Sequence, residues 1–158
     1  MRRRLGAVEV RLAGADDADA VAAVFTASFA TLTFLPMLHT HEETRAFIRG
    51  VVLEKDEVWV VEDEGRIVGM SALSGDLLDQ LYVHPDAQGR GAGSALIDTA
   101  KERRPGGFTL WVFQQNEAAR RFYERSGFRL VRLTDGSENE EKTPDALYEW
   151  RPDREEDA

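Results

Sequence analysis

The sequence predicts a mixed α/β fold: a mostly antiparallel central sheet of about six to seven strands with helices on both faces. Three observations carry this. Short β-rich runs alternate with stretches of helical period in the order β-α-α-β-β-β-α-β-α-β-β. Turn sequences, Glu62-Asp63-Glu64-Gly65 and Pro105-Gly106-Gly107, punctuate them. The β-rich runs at 76–83 and 108–113 are joined through a helix, which is the crossover that parallel neighbours require.

The first strand, Val8–Leu12, alternates as V-E-V-R-L and suits a half-buried position. Gly14 serves as N-cap of a helix near 15–30, with Asp16 and Asp17 at its positive end and Val21, Val24, Phe25, Ser28 and Phe29 on one face. Pro36 then bends an apolar stretch, 31–39, that holds Phe34, Leu35, Met37 and Leu38. Thr40 and Glu43 form a capping box for a second helix, with Phe47, Ile48, Val51 and Val52 toward the core.

Runs at 57–61 and 66–73 make a hairpin closed by 62–65, and 76–83 continues the meander. Ala95, Leu96, Ile97 and Ala100 define a helix over 94–103, which 105–107 ends. The run F-T-L-W-V-F at 108–113 is apolar enough to be buried on both faces. Asn116 caps a helix over 117–126 that Gly127 stops. The last two strands, 128–133 and 146–150, flank an acidic stretch at 134–145, and a charged tail follows at 151–158.

With 158 residues, no internal repeat and no linker, one domain over 1–158 is expected. The net charge of -9 disfavours nucleic acid or an anionic membrane as partner and favours cationic ones. Cysteine is absent, which excludes disulfides, thiolate zinc sites and a cysteine nucleophile and fits a reducing cytoplasm. The basic start Met1-Arg2-Arg3-Arg4 meets Glu9 where an export signal would continue apolar, and no run approaches the roughly 18 apolar residues of a membrane helix. A cytoplasmic protein, off the membrane, is expected.

The stretch from Val83 to Ser94, V-H-P-D-A-Q-G-R-G-A-G-S, sets glycines at 89, 91 and 93 between a strand and a helix. Backbone N–H groups at such a helix start suit a phosphate, yet glycines there also serve as a plain tight turn; on the glycines alone both readings stand. A P-loop is excluded, because no Lys-Ser/Thr follows.

Gln88-Gly89-Arg90-Gly91-Ala92-Gly93 is similar to the Gln/Arg-x-x-Gly-x-Gly/Ala signature of the GNAT acyl-CoA-dependent N-acyltransferases, and Val83-His84-Pro85 to the V-x-P that precedes it. Downstream, N-E-A-A-R-R-F-Y-E-R-S-G-F, from Asn116 to Phe128, resembles the family's N-x-x-A-x-x-F-Y-x-x-x-G-F. The resemblance spans about residues 8 to 150. It implies the GNAT fold, with the fourth and fifth strands parallel and splayed after His84-Pro85, where proline ends the ladder. It implies acetyl-CoA as cosubstrate, no metal, and direct attack by a primary amine of a small molecule or peptide, in a monomer or homodimer. A non-catalytic acyl-CoA sensor or interaction module on the same fold is the alternative.

The same resemblance implies the site. Backbone of Gly89, Arg90, Gly91, Ala92, Gly93 and Ser94 holds the pyrophosphate, with Gln88 in the motif and the Arg90 charge at the rim. Leu81, Tyr82 and Val83 offer a strand edge to the pantetheine amides, and Asn116, Phe122 and Tyr123 lie beside it. Tyr123 is either the acid that protonates the leaving thiolate or a core aromatic. Asn116 is an N-cap, a pantetheine partner, or both. Asp79 is the candidate general base, because alternation puts 79, 81 and 83 on one face; a salt-bridged carboxylate is the other reading. His39, His41 and His84 are polar surface or proton relays. The acceptor pocket falls to 31–41 and 134–145, with Phe29, Phe34, Met37 and Trp111 either its apolar walls or helix and strand core. Asp135, Glu138, Glu140, Glu141 and Asp145 either attract a cationic amine or line a solvated loop.

Overall fold

The computed structural model describes residues 2–5, 8–36 and 38–152. Eight strands, β1 (Arg2–Leu5), β2 (Val8–Leu12), β3 (Glu57–Asp63), β4 (Arg66–Ser74), β5 (Leu77–Val83), β6 (Phe108–Phe113), β7 (Arg129–Leu133) and β8 (Asp145–Trp150), form one sheet in the order β1-β2-β3-β4-β5-β6-β8-β7. All seven strands expected from the sequence are present. The eighth is β1, which pairs antiparallel with β2 although R-R-R-L carries no alternation to announce it. Every neighbouring pair is antiparallel except β5 and β6, the expected fourth and fifth strands.

Helix α1 (Ala18–Phe29) is preceded by a 3-10 turn, Ala15–Asp17. The Asp17 carboxylate accepts the Gly14 N–H at 2.7 Å and two guanidinium bonds from Arg11 at 2.8 and 2.9 Å, which draws the helix start onto β2. Helix α2 (His41–Phe47) opens on the expected capping box: the Glu43 N–H donates to Thr40 Oγ1 at 3.1 Å, and the Thr40 N–H donates to Glu43 Oε1 at 2.9 Å. It runs into a π-helical turn, Ile48–Val52, and a last turn, α3 (Leu53–Lys55). The wider turn shifts the phase of the face. Ile48 and Val52 are buried as expected, but Phe47 and Val51 are exposed, correcting the expected four-residue core face.

Strand β3 reads V-W-V-V because both of its faces are covered. Val58 and Val60 face α1 and the π turn with Val21, Val24, Met70 and Ala72. Trp59 and Val61 face the other way, into a core with Leu96 and Ile97 of α4 (Ala92–Arg103), Phe108, Leu110, Tyr148 and Phe128. Each such side chain taken fully out of water contributes about 1.5–3 kcal/mol. Helix α5 (Glu117–Arg125) extends this second core over β6 and β8 through Tyr123.

On the α1 side, β6, β8 and β7 carry no helix among the described residues. Strand β6 is therefore buried on one face only: Phe108, Leu110 and Val112 are buried, while Trp111 is 41% exposed. This corrects the expected two-faced burial, and it leaves an open floor beside α1.

Candidate functional site

Strands β5 and β6 are paired only at Leu77↔Thr109 and Leu78↔Leu110, after which they part. The His84 N–H still donates to the Val68 carbonyl of β4 at 2.7 Å, so strand alternation turns the backbone groups of Leu81 and Val83 toward the gap. The Val83 carbonyl does not stand empty there. It accepts from Ser28 Oγ of α1 at 2.7 Å and from Gln88 Nε2 at 3.3 Å. Leu81 and Val83 send their side chains to the α4-side core, whereas Tyr82 lies on the α1 side with its ring 4.8 Å from that of Phe25.

Asp79 does not share the face of Leu81 and Val83. The register slips between Ala72 and Leu73, so that Leu73 pairs with Leu78 and Ala72 with Gln80, and Asp79 is the extra residue of a bulge. Its carboxylate lines the α1-side cleft beside Gln80 and Tyr82. Nearby Asp56 is pushed up, first by burial and then by the charge of Asp79.

A 3-10 turn, Pro85–Ala87, follows β5, and His84 Nδ1 accepts the Asp86 N–H at 3.1 Å, which engages that histidine in the turn. Gly91 caps α4 in the left-handed region, φ 90° and ψ 2°, which only glycine adopts at no cost. Among the described residues no side chain caps this helix end, so the first-turn N–H groups at Ala92, Gly93 and Ser94 have no partner there at the positive end of a twelve-residue helix. A Cβ placed on Gly89 or Gly91 meets nothing within 4 Å, so the approach is open. Arg90 is two-thirds exposed beside this turn, 3.5 Å from Asp63. Gly93 packs under the Phe122 ring and joins the two helices.

Asn116 Oδ1 accepts the Ala119 N–H at 3.3 Å, an N-cap as read from the sequence. Tyr123 is 7% exposed, with its ring between those of Phe122 and Phe128 at 5.4 and 5.7 Å. Its hydroxyl has no hydrogen bond among the described residues, and burial pushes the phenol up. Tyr82 is also pushed up, chiefly by burial, then by the charges of Tyr123, Glu141 and Asp79. Tyr82 lies on the α1 side of the sheet and Tyr123 on the α4 side, beside the parted strands.

The α1-side floor and the loop at 134–145 enclose a cleft of about 1270 Å³. Phe25, Phe29, Phe47, Tyr82, Trp111 and Phe113 line it, with the Phe34 ring edge-on to Phe113 at 6.0 Å; Met37 lies outside the described residues. Its carboxylates are Glu43, Asp79, Asp135, Glu138, Glu140, Glu141 and Asp145.

The 134–145 loop is tied to itself. Asn139 accepts the Thr143 N–H at 3.1 Å and donates to the Thr143 carbonyl at 2.7 Å and to Asp145 Oδ2 at 3.1 Å, while Thr134 Oγ1 bonds Asp145 Oδ1. Gly136, at φ 80°, lies so close to the Thr143 and Pro144 backbone that any Cβ would overlap it. His39 Nε2 meets Glu140 Oε1 at 2.6 Å and links this loop to 31–41, while His41 lines the cleft. Ser28 and Arg132 also reach the site. A serine inside a helical stretch and an arginine inside a strand gave no signal of it.

A family model of the acetyltransferase (GNAT) domain matches residues 54–130. The chain is 32% identical over 104 residues to the peptidyl-lysine N-acetyltransferase YiaC of Escherichia coli, covering 65% of this chain and 69% of YiaC. The solution structure of apo YjaB from Escherichia coli superposes with a TM-score of 0.74 at 26% identity, covering 90% of this chain and 97% of that one. The PaiA N-acetyltransferase from Thermoplasma acidophilum, solved in complex with coenzyme A, shares the fold with a TM-score of 0.69 at 18% identity over 91% of this chain and 98% of that one. No helix among the described residues is long and apolar enough to cross a membrane. The parted strands, the uncapped glycine-led helix and these likenesses agree: the chain is an acetyltransferase that belongs to the GNAT family.

Proposed function

We propose that the chain moves the acetyl group of acetyl-CoA to the side-chain amine of a lysine in a peptide or protein. The carrying observation is the cleft. It opens on the α1 side of the sheet, holds the carboxylates of Asp79 and Glu141, which are unpaired among the described residues, and ends at Tyr82, where the charges of both are felt. A long cationic amine fits such an end, and the acetylated amine of YiaC's peptidyl substrate is of that kind.

The residues fit the donor as well. The free N–H groups of Ala92, Gly93 and Ser94 would hold the pyrophosphate, and the turned-out backbone of Leu81 and Val83 would pair with the pantetheine arm. That pairing competes with Gln88, which must release the Val83 carbonyl.

In the transfer, Asp79 takes a proton from the ammonium, and the neutral amine attacks the thioester carbonyl. The C–N bond forms and the C–S bond breaks. The attacking nitrogen loses its second proton to water as the tetrahedral intermediate collapses. Tyr123 gives its proton to the departing thiolate and regains one from water, and Asp79 releases its proton to solvent, so that one proton is lost overall. The bulge favours Asp79 in this role, since it turns the carboxylate to the amine's side. Burial keeps the Tyr123 proton in place at neutral pH.

A CoA-release assay against amino acids, polyamines, aminoglycosides and lysine peptides, with mass spectrometry of the product, tests this. Peptides acetylated at lysine Nε are expected. Release of CoA only with a non-peptide amine would replace the acceptor class, and release with none would remove the proposal.

A further inference from the structure

Strand β7 carries a bulge that decides what stands on the cleft floor. Leu130 pairs with Tyr148 of β8, and regular alternation would then set Val131 opposite Leu147. Instead the register slips and Arg132 pairs with Leu147, which pairs in turn with Trp111 of β6. Arg132, Leu147 and Trp111 thus share one face, and the guanidinium reaches across β8 to lie 5.5 Å from the Trp111 ring centroid. Without the slip Arg132 would project to the α5 side. Bulges that re-aim one side chain in this way recur beside active sites.

Arg132 lines the same cleft as the acidic residues yet has no ion pair or hydrogen bond among the described residues. Two carboxylates of the cleft are engaged elsewhere: Asp145 with Thr134 and Asn139, and Asp135 with the Ser137 N–H. A guanidinium held on an aromatic face keeps its N–H fork free, and that fork matches a carboxylate.

Resting on the lysine-acceptor reading, we infer that Trp111 and Arg132 form a specificity subsite for a carboxylate carried by the acceptor. The amine-holding end of the cleft selects a cation, and this subsite, in the same cleft, selects an anion elsewhere on the same molecule. Two sources supply that chemistry: an acidic side chain flanking the lysine of a peptide, or the α-carboxylate of a free amino acid.

The test measures kcat/KM for capped lysine peptides with Glu or Gln immediately before or after the lysine, and for L-lysine against L-lysinamide. The wild type, Arg132→Gln and Arg132→Glu are compared. A peptide source predicts about a tenfold preference for Glu over Gln, and a free amino acid source a similar preference for lysine over lysinamide. In either case the preference resides in KM, vanishes in Arg132→Gln and reverses in Arg132→Glu. Equal use of charged and neutral acceptors by the wild type, or a preference that survives Arg132→Gln, overturns the subsite and leaves the lysine-acceptor reading intact. Failure of every peptide and amino acid to release CoA overturns both. Circular dichroism confirms that the variants are folded, as expected at an exposed side chain.

Discussion

The Ser28 hydroxyl donates 2.7 Å to the Val83 carbonyl, so the last carbonyl of β5 is bound by α1 where β6 has departed. The bond ties the acceptor-side helix to the strand expected to hold the donor. Ser28→Ala leaves Val83 with the longer Gln88 contact alone and should cost about 0.5–1.5 kcal/mol. Chemical denaturation measures the loss. A variant as stable as the wild type would mean that Gln88 or water satisfies this carbonyl unaided.

Tyr123→Phe keeps the ring contacts with Phe122 and Phe128 and removes only the hydroxyl. If that hydroxyl supplies the leaving-group proton, kcat should fall about 100-fold while calorimetric CoA affinity stays within about twofold. An undiminished kcat would make Tyr123 a core aromatic.

Asn139 fastens the acidic loop through three hydrogen bonds. Asn139→Ala should loosen Glu138, Glu140 and Glu141 together and raise the acceptor KM about tenfold, with CoA affinity unchanged. An unaltered acceptor KM would return the loop to a solvated surface role.

Asp17 gives a pH dependence with a definite sign. Hydrogen bonds from Arg11, outweighing burial and helped by the Gly14 N–H, hold its carboxyl below the ordinary 3.8. A depressed carboxyl stabilises the fold above its unfolded value and loses that contribution as pH falls from about 4 through the folded pKa. Thermal unfolding followed by circular dichroism should show Asp17→Asn less stable than the wild type at neutral pH, with the gap closing in acid. A constant gap would contradict the Arg11 pairing.

The parts legible in the sequence were those encoded by neighbours along the chain. The Thr40–Glu43 box, the Asn116 cap, the glycine turn and the alternation of β2 are local patterns, and they appear where expected. What escaped was set by partners across the sheet. The bulge at Asp79 depends on how β4 pairs, and the one at Val131 on how β8 pairs; each slip reverses a side chain without leaving a mark in the residues themselves. The exposed Trp111 face likewise depends on where helices stop covering the sheet, and an apolar run cannot show that. Phe47 and Val51 were misplaced because one π turn shifts the phase of an otherwise helical period.

In the proposed reaction, donor and acceptor enter from different sides of the sheet and meet where β5 and β6 part. Calorimetry with a conjugate of CoA joined through an acetyl bridge to a lysine peptide tests it most directly. The account predicts that the conjugate binds about 100-fold more tightly than CoA, and that Gly91→Asp and Glu141→Gln each weaken it, Glu141→Gln without altering the affinity for CoA alone. A conjugate that binds no better than CoA would contradict the account.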